Sequence, residues 1–347
     1  MTSPPQSSVS AMATETREAP DAVARLLDRE WPAIRALGRR LAERAPPVVV
    51  TCARGSSDHA ASYLKYVLEI ATGIPVCSMG PSIASVYGTP LRLAGAVVVT
   101  ISQSGRSPDL VAFQAAARAA GALTVALVNA TDGPVAQAAE IVLPLHAGPE
   151  TSVAATKSFI ASIVAAAAIV AAWTEDAALH AALLALPATL AKALEADWAA
   201  AEEAIADAPS CYMLGRGPSL AIAQEAALKS KETAARHAEA FSLAEVMHGP
   251  LRLVEQRFPV LAFLAEDAAA AENRRALARL VETGGTVFAA ATATAPGTML
   301  PVAASGHPTL DPVAMAVSFY LFIERLSRRL GLDPDRPSHL RKVTETR

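Results

Sequence analysis

Two lysines, a carboxylate and a histidine fall within residues 211–250, CYMLGRGPSLAIAQEAALKSKETAARHAEAFSLAEVMHGP. Lys229, Lys231 and Glu232 sit on one expected helix, and His248 stands directly before Gly249-Pro250. At i,i+3 spacing Lys229 and Glu232 share a helix face, while Lys231 lies about 200° around from Lys229 and faces elsewhere. A carboxylate beside an ammonium can take and return a proton while the cation steadies the charge that forms. A histidine in a turn titrates near neutral pH and can act as acid or base. The stretch opens as a buried strand and passes through Gly215-Arg216-Gly217-Pro218-Ser219, a Gly-rich turn of the kind that holds phosphates. Together these residue types suit proton transfer on a phosphorylated sugar. Taken singly they have plainer readings. The Lys–Glu pair could be a surface salt bridge, His248 an exposed loop histidine, and Lys342, in the tail LRKVTE, a surface charge.

The elements around these groups set their positions. Pro47 to Ala53, Ile74 to Val76, Ala94 to Ile101, Leu123 to Val128 and Glu140 to Leu145 read as buried parallel strands. Helices are expected at Asp58 to Thr72, Pro108 to Ala120 and Phe159 to Trp173. The pattern then restarts after Ala177 to Ala206, which reads as almost continuous helix. Strands follow at Ser210 to Leu214, Phe258 to Leu264, Gly285 to Ala291 and Met299 to Ala303, and Pro312 to Leu330 is a closing helix. Strands alternating with helices, twice over, predict an α/β protein of two tandem doubly wound parallel sheets related by internal duplication. The expected divisions are a tail and lead-in helix at 1–34, a first domain at 35–175, a helical linker at 176–200, a second domain at 201–330 and a tail at 331–347.

In such a sheet, ligands bind beyond the carboxyl ends of the strands. Two first-half loops lie there, Gly55-Ser56-Ser57 and Ser102-Gln103-Ser104-Gly105-Arg106-Ser107. Both precede helices, so free N–H groups and the positive end of the helix dipole face the site. A third segment, Ala147 to Ser158, carries Val153 and Ala155 and would close over the same mouth. The second half has Ala265-Glu266-Asp267 at the place of the SQSG turn, where carboxylates would repel a phosphate. The first unit is therefore the better phosphate cradle, and Gly215 to Ser219 is left to shape the second unit's edge of a shared site. Neither a Walker lysine nor GxGxxG occurs, so no nucleotide is implied.

Composition narrows the classes further. The chain has 347 residues, 52% apolar and 5% aromatic, enough for a large core of Ala, Val, Leu and Ile. A net charge of −3 argues against nucleic acid as a partner. Three cysteines without CxxC spacing suit a reducing cytoplasm, and scattered histidines give no metal site. The opening MTSPPQSSVSAMATETREAP is polar, lacks an apolar signal and reads as a disordered tail. Phe159 to Trp173 is shorter than the roughly 20 residues of a membrane span and reads as an internal or dimer-interface helix. No membrane, metal or cofactor is expected.

Five motifs resemble the sugar isomerase (SIS) domain family: SQSG with Ser107, AGPETSVAATKSF, LGRGPSLAIAQEAALKSKE, HAEAFSLAEVMHGPL and RPSHLRKVT. The pattern resembles the isomerase half of glutamine-fructose-6-phosphate aminotransferase and its stand-alone relatives, over about residues 35 to 347. The resemblance implies flavodoxin-like sandwiches and a set of roles. Ser57, Ser102, Gln103, Ser104 and Ser107 match the sugar-phosphate loops. Glu232 matches the base that moves a proton between C1 and C2, and Lys229 the lysine that steadies the enolic oxygen. His248 matches a ring-opening histidine contributed by a neighbouring subunit, which implies a homodimer with shared sites. Lys342 matches a tail lysine that meets the open-chain carbonyl. Ala155 departs from the family's serine, and Arg341 from a small residue. The aminotransferase begins with a glutaminase whose N-terminal cysteine is the nucleophile, whereas this sequence begins Met1-Thr2-Ser3 and its first cysteine is Cys52. The expectation is a deaminase taking glucosamine 6-phosphate and water to fructose 6-phosphate and ammonia. The alternatives are a glutaminase-less aminotransferase, a fructosamine-phosphate deglycase, a galactosamine- or tagatose-phosphate isomerase, and a non-catalytic phosphosugar sensor.

Overall fold

The computed structural model describes residues 9–342. Helices α1 (Ala11–Arg17) and α2 (Ala19–Arg44) lead into the first unit. That unit runs β1 (Val49–Cys52), α3 (Ser56–Thr72), β2 (Val76–Ser78), α4 (Ser82–Ser85), β3 (Val97–Ser102), α5 (Pro108–Ala119), β4 (Leu123–Val128), α6 (Pro134–Ala138) and β5 (Ile141–Pro144). Helices α7 (Lys157–Thr174), α8 (Ala177–Ala193) and α9 (Glu202–Asp207) follow. The second unit runs β6 (Ser210–Gly215), α10 (Pro218–Ala234), β7 (His237–Ser242), β8 (Pro259–Leu264), α11 (Ala270–Glu282), β9 (Thr286–Ala291) and β10 (Thr298–Leu300), closed by α12 (Asp311–Arg329).

Each unit holds a five-stranded sheet, in the orders β2-β1-β3-β4-β5 and β10-β9-β8-β6-β7. Every pairing in both is parallel. Read from its other edge, the second order is β7-β6-β8-β9-β10, so the two halves share one winding, and the duplication is topological as well as sequential. Both sheets bury two faces, which is why VVVTIS in β3 and PVLAFL in β8 are apolar almost throughout. Along β1, Val49 faces a core that joins both units, while Val50 and Cys52 face a separate cluster with Phe113. The joint core is built on helices α2, α3, α7, α8, α10 and α12. Its Ala-rich helices pack closely: a Cβ on Gly38 of α2 would stand 2.6 Å from the Ala172 backbone of α7.

Three sequence expectations are corrected and one strand is added. The polar N-terminus is ordered from Val9 onward, while residues 1–8 lie outside the described part. Ser10 caps α1 by accepting from Ala13 N, and Met12 and Thr16 are buried. Polarity misleads there because Asp335 accepts from the Ala11 and Met12 amides, so the segment is held by charge and backbone as well as by apolar burial. The expected helix Ala177 to Ala206 breaks after α8, where Trp198 is buried and donates from its indole to Pro301 O at 2.9 Å. Strand β7 escapes the apolar search because HAEAFS is an edge strand, hydrogen-bonded only to β6. Helix α7 is longer than the Phe159–Trp173 reading. It is the one described helix long and apolar enough to cross a membrane, and 89% of it is buried inside the fold.

Candidate active site

The first sheet reverses its winding between β1 and β3, and the crevice beyond their carboxyl ends is where an α/β sheet receives a ligand. Ser56 and Ser57 open α3 directly after β1, and Ser102 ends β3. The second loop is pre-shaped by its own bonds. Ser102 Oγ accepts from Gly105 N at 3.0 Å, and Gln103 O accepts from Ala130 N at 3.1 Å. Gly105 sits at φ +62°, and a Cβ there would come within 3.3 Å of Ala130 O, so the turn needs glycine.

These loops line a cavity of about 350 Å³ together with Ser104, Ser107, Val153, Ala155, Lys229, Glu232 and Lys342. Every substrate-binding residue expected from sequence, and three of the four expected catalytic ones, therefore meet in one place. His248 does not line this cavity; it is exposed in a 3-10 turn, Glu245–His248. Gly215 to Ser219 is also absent from the lining. That turn joins β6 to α10. Glu266 and Asp267 prove structural: Glu266 pairs with Arg274, and Asp267 caps the approach to α11 through Ala269 N.

Lys229 is the centre of the site. Its Nζ lies 2.6 Å from Glu232 Oε2, 3.2 Å from Glu225 Oε1 and 2.9 Å from Ser56 Oγ. Three acceptors match the three N–H bonds of an ammonium, so the group is held charged and in a fixed direction. Burial alone would lower its pKa, but the carboxylates of Glu225 and Glu232 outweigh that and raise it. The side chains of Lys229 and Glu225 are 1% exposed and that of Glu232 23%, so Glu232 is the carboxylate open to the cavity. A pair that could have been a solvated helix face is thus inside the fold.

Sequence reading missed the groups behind Lys229. Glu225 accepts from Tyr320 Oη at 3.0 Å and lies 2.8 Å from His59 Nδ1. Burial would raise its carboxyl, but Lys229, then His59 and Tyr320, hold it down at about 2. Glu225 stands four residues before Lys229 on α10, a spacing visible in QEAALKSKE; His59 and Tyr320 come from α3 and α12 and give no local signal. Glu150 is the second such group. Burial would raise its carboxyl too, but Lys342 at 2.9 Å, the Ser158 hydroxyl and the Thr156 amide keep it below its ordinary value. The buried Glu150 thereby anchors the tail lysine beside the cavity. Two further cations, Arg54 and Arg341, complete the lining, Arg54 paired with Asp109 at 2.9 Å. Among the described residues no cluster of His, Cys, Asp and Glu is placed to hold a metal ion.

The SIS domain family model matches residues 46–172 and 204–297. Glutamine–fructose-6-phosphate aminotransferase (isomerizing) of Caulobacter vibrioides is 34% identical over 313 residues, 85% of this chain and 51% of that protein. The chain therefore spans about half the length of the curated relatives it matches. A crystal structure from Silicibacter pomeroyi, named as a candidate phosphosugar isomerase, superposes with TM-score 0.90 at 46% identity, covering 94% of this chain and all of that one. The C-terminal domain of glucosamine-fructose-6-phosphate aminotransferase from Francisella tularensis has TM-score 0.84 at 23% identity over 96% of this chain and 100% of its own, a likeness of fold. Matched in both of its units by one domain family, the chain is a tandem member of the SIS domain family.

Proposed function

We propose that the chain deaminates an amino-sugar phosphate, converting glucosamine 6-phosphate and water to fructose 6-phosphate and ammonia. The observation that carries this reading is the buried Lys229 ammonium 2.6 Å from the Glu232 carboxylate, which opens on a serine-lined cavity. The phosphate docks on Ser57, Ser104, Ser107 and the amides of the Gln103 loop. Glu232 takes the proton from C2 of the open-chain aldehyde and returns it at C1, while O1 gains a proton and the nitrogen gives one up, which leaves a hydroxymethyl at C1 and an imine at C2. Lys229 steadies the negative charge that gathers on O1 between those steps. Water adds to the imine carbon, the carbinolamine loses ammonia, and the C2 ketone remains. The cavity also suits this stepwise use of one base, because Glu232 is fixed on its Lys229 side and free on the other.

Ring opening is assigned to His248. Since it does not line the cavity of its own chain, it would enter from a neighbouring subunit, and the working form would be a homodimer with shared sites. Lys342, which lines the cavity, is assigned the open-chain carbonyl.

A second reading is synthesis in reverse, from fructose 6-phosphate and ammonia, favoured by the aminotransferase relatives. One experiment tests both: purified protein with glucosamine 6-phosphate, following ammonia and fructose 6-phosphate, and the reverse mixture with ammonium. Ammonia release with ketose formation is expected. No product in either direction, together with no exchange of the C2 proton in heavy water, would sink the reading.

A further inference from the structure

A second cavity, of about 680 Å³, lies against the first. Gln103 lines both. Glu150 lines the second, while its ion-pair partner Lys342 lines the first, so this pair stands at the boundary. The second cavity is cationic. Arg25 and Arg29 border it one helical turn apart on α2. Arg25 donates from Nε and Nη2 to the His146 carbonyl at 3.3 Å and meets no carboxylate; Arg29 forms no hydrogen bond or ion pair among the described residues. The acids nearby are already used: Glu150 faces Lys342, and Glu30 lies 2.6 Å from His146 Nε2.

The wall to which Arg25 is bonded is rigid. Asn129 ties it from both ends of its amide, donating to Gly148 O and accepting from Ala147 N, each at 2.9 Å. Glu15 accepts the hydroxyl of Thr151 at 2.9 Å, and His146 is held at φ +51°, a left-handed conformation rarely adopted by a residue with a side chain. Among the described residues neither guanidinium meets a carboxylate: Arg25 is held on the wall by its Nε–Nη2 edge, and Arg29 stands one helical turn away with its donors unengaged, a cationic pair beside the neighbouring cavity that suits a carboxylate.

We propose that this cavity is a carboxylate site contiguous with the sugar site, taking an acid borne on the substrate's nitrogen or a free small dicarboxylate. The proposal rests on the phosphosugar reading only for its substrate-borne form. A substrate carrying such an acid would span Gln103 with its phosphate on one side and its carboxylate on the other. The site would then favour N-carboxyalkyl amino-sugar phosphates over the bare amino sugar.

The test is calorimetric binding to Glu232→Gln protein of glucosamine 6-phosphate, of its N-carboxyalkyl derivatives with increasing chain length, and of glutarate alone. At least one derivative is expected to bind about tenfold tighter than the bare sugar, the gain of a charge-assisted contact. Arg29→Glu should remove that gain while the affinity for the bare sugar changes far less. Arg29 is exposed and unpartnered, so this variant should fold. Glutarate competing with the derivatives but not with the bare sugar assigns the site to a substrate-borne acid. Glutarate binding in the absence of any derivative gain, and lost in Arg29→Glu, assigns it to a free acid. The proposal is overturned if no carboxylate binds better than the bare sugar and glutarate does not bind, or if the gain survives Arg29→Glu. Failure of the bare sugar to bind at all counts against the preceding reading, and the glutarate titration still decides this one.

Discussion

Lys229 Nζ donates to Ser56 Oγ at 2.9 Å across a sequence separation of 173 residues. The bond joins α10 of the second unit to the first turn of α3 in the first unit, where the proposed phosphate loop begins. Ser56 therefore works as much on the lysine as on any ligand. Ser56→Ala should lower kcat about tenfold, since a hydrogen bond to a charged group contributes roughly 1.5–3 kcal/mol. Ser57→Ala, one residue further on, should act mainly on KM for the phosphosugar. Equal KM effects from both would show that Ser56 merely binds substrate.

Glu232 is the exposed end of the Lys229 network. Glu232→Gln keeps a hydrogen-bond acceptor for Lys229 but cannot take a proton. Turnover should fall by about 10²–10⁴, the range of general acid–base contributions. Sugar-phosphate affinity should stay within a fewfold of wild type. Incorporation of deuterium at C2 from heavy water is the direct readout, and wild-type exchange in the variant would overturn the assignment.

The pH dependence of stability follows from the same network. Glu225 is depressed from 4.5 to about 2 in the folded chain, by Lys229, His59 and Tyr320 acting against burial. A depressed carboxyl stabilises the fold above its unfolded pKa, and that contribution is lost as pH falls towards the folded value. Glu150 is lowered as well and adds in the same direction. Lys229, being raised above 10.5, contributes below that value and loses its contribution only in strong alkali. The midpoint of urea unfolding should therefore be level through the neutral range and drop between pH 4.5 and about 2. Glu225→Gln should destabilise the fold at neutral pH, because it removes one of the two carboxylates that neutralise the buried Lys229, and should flatten the acid limb. An unchanged acid limb would show that Glu225 is not the group responsible.

How far the sequence could be read depended on how local each feature is. Buried central strands such as Leu123–Val128 are self-evident runs, and β4 has those bounds. The edge strand β7 alternates with charged residues and carries no such signal. In the site, Lys229 and Glu232 announce themselves by spacing on one helix, and the serine loops by following strands. Glu225 was visible at i,i+4 from Lys229, but its importance comes from Tyr320 and His59, which reach it from distant segments. The Lys342–Glu150 pair spans 192 residues and is equally invisible to local pattern. Tertiary charge pairing is what the sequence hides.

That tail pair carries its own prediction. Glu150 has a fully buried side chain, and Lys342 is the ammonium that neutralises it. Lys342→Ala leaves a carboxylate buried without its counter-ion, although Ser158 and the Thr156 and Ser158 amides still bind it. The loop Ala147 to Ser158 should stay ordered, while the C-terminal segment from Arg336 should become sensitive to protease. Lys342→Met, which keeps the stem but not the charge, should behave like alanine if the ion pair is the anchor. Resistance to protease equal to wild type in both variants would mean that the tail is held by Val153 N–Asp335 O and the α1 contacts alone.

His248 supplies the test of shared sites. Each chain would give Glu232 to one site and His248 to the other, as a two-fold dimer requires. His248→Ala and Glu232→Gln proteins should each be nearly inactive as homodimers. Mixed and allowed to exchange subunits, they form heterodimers in which one site carries both mutations and the other carries neither. Random pairing makes half of the dimers mixed, so activity should return to about a quarter of the wild-type level. Recovery rising with exchange time would establish the crossed arrangement. No recovery, in a mixture shown by mass to contain heterodimers, would place His248 in the same site as its own chain's Glu232, and full activity of the His248→Ala homodimer would place it outside the reaction.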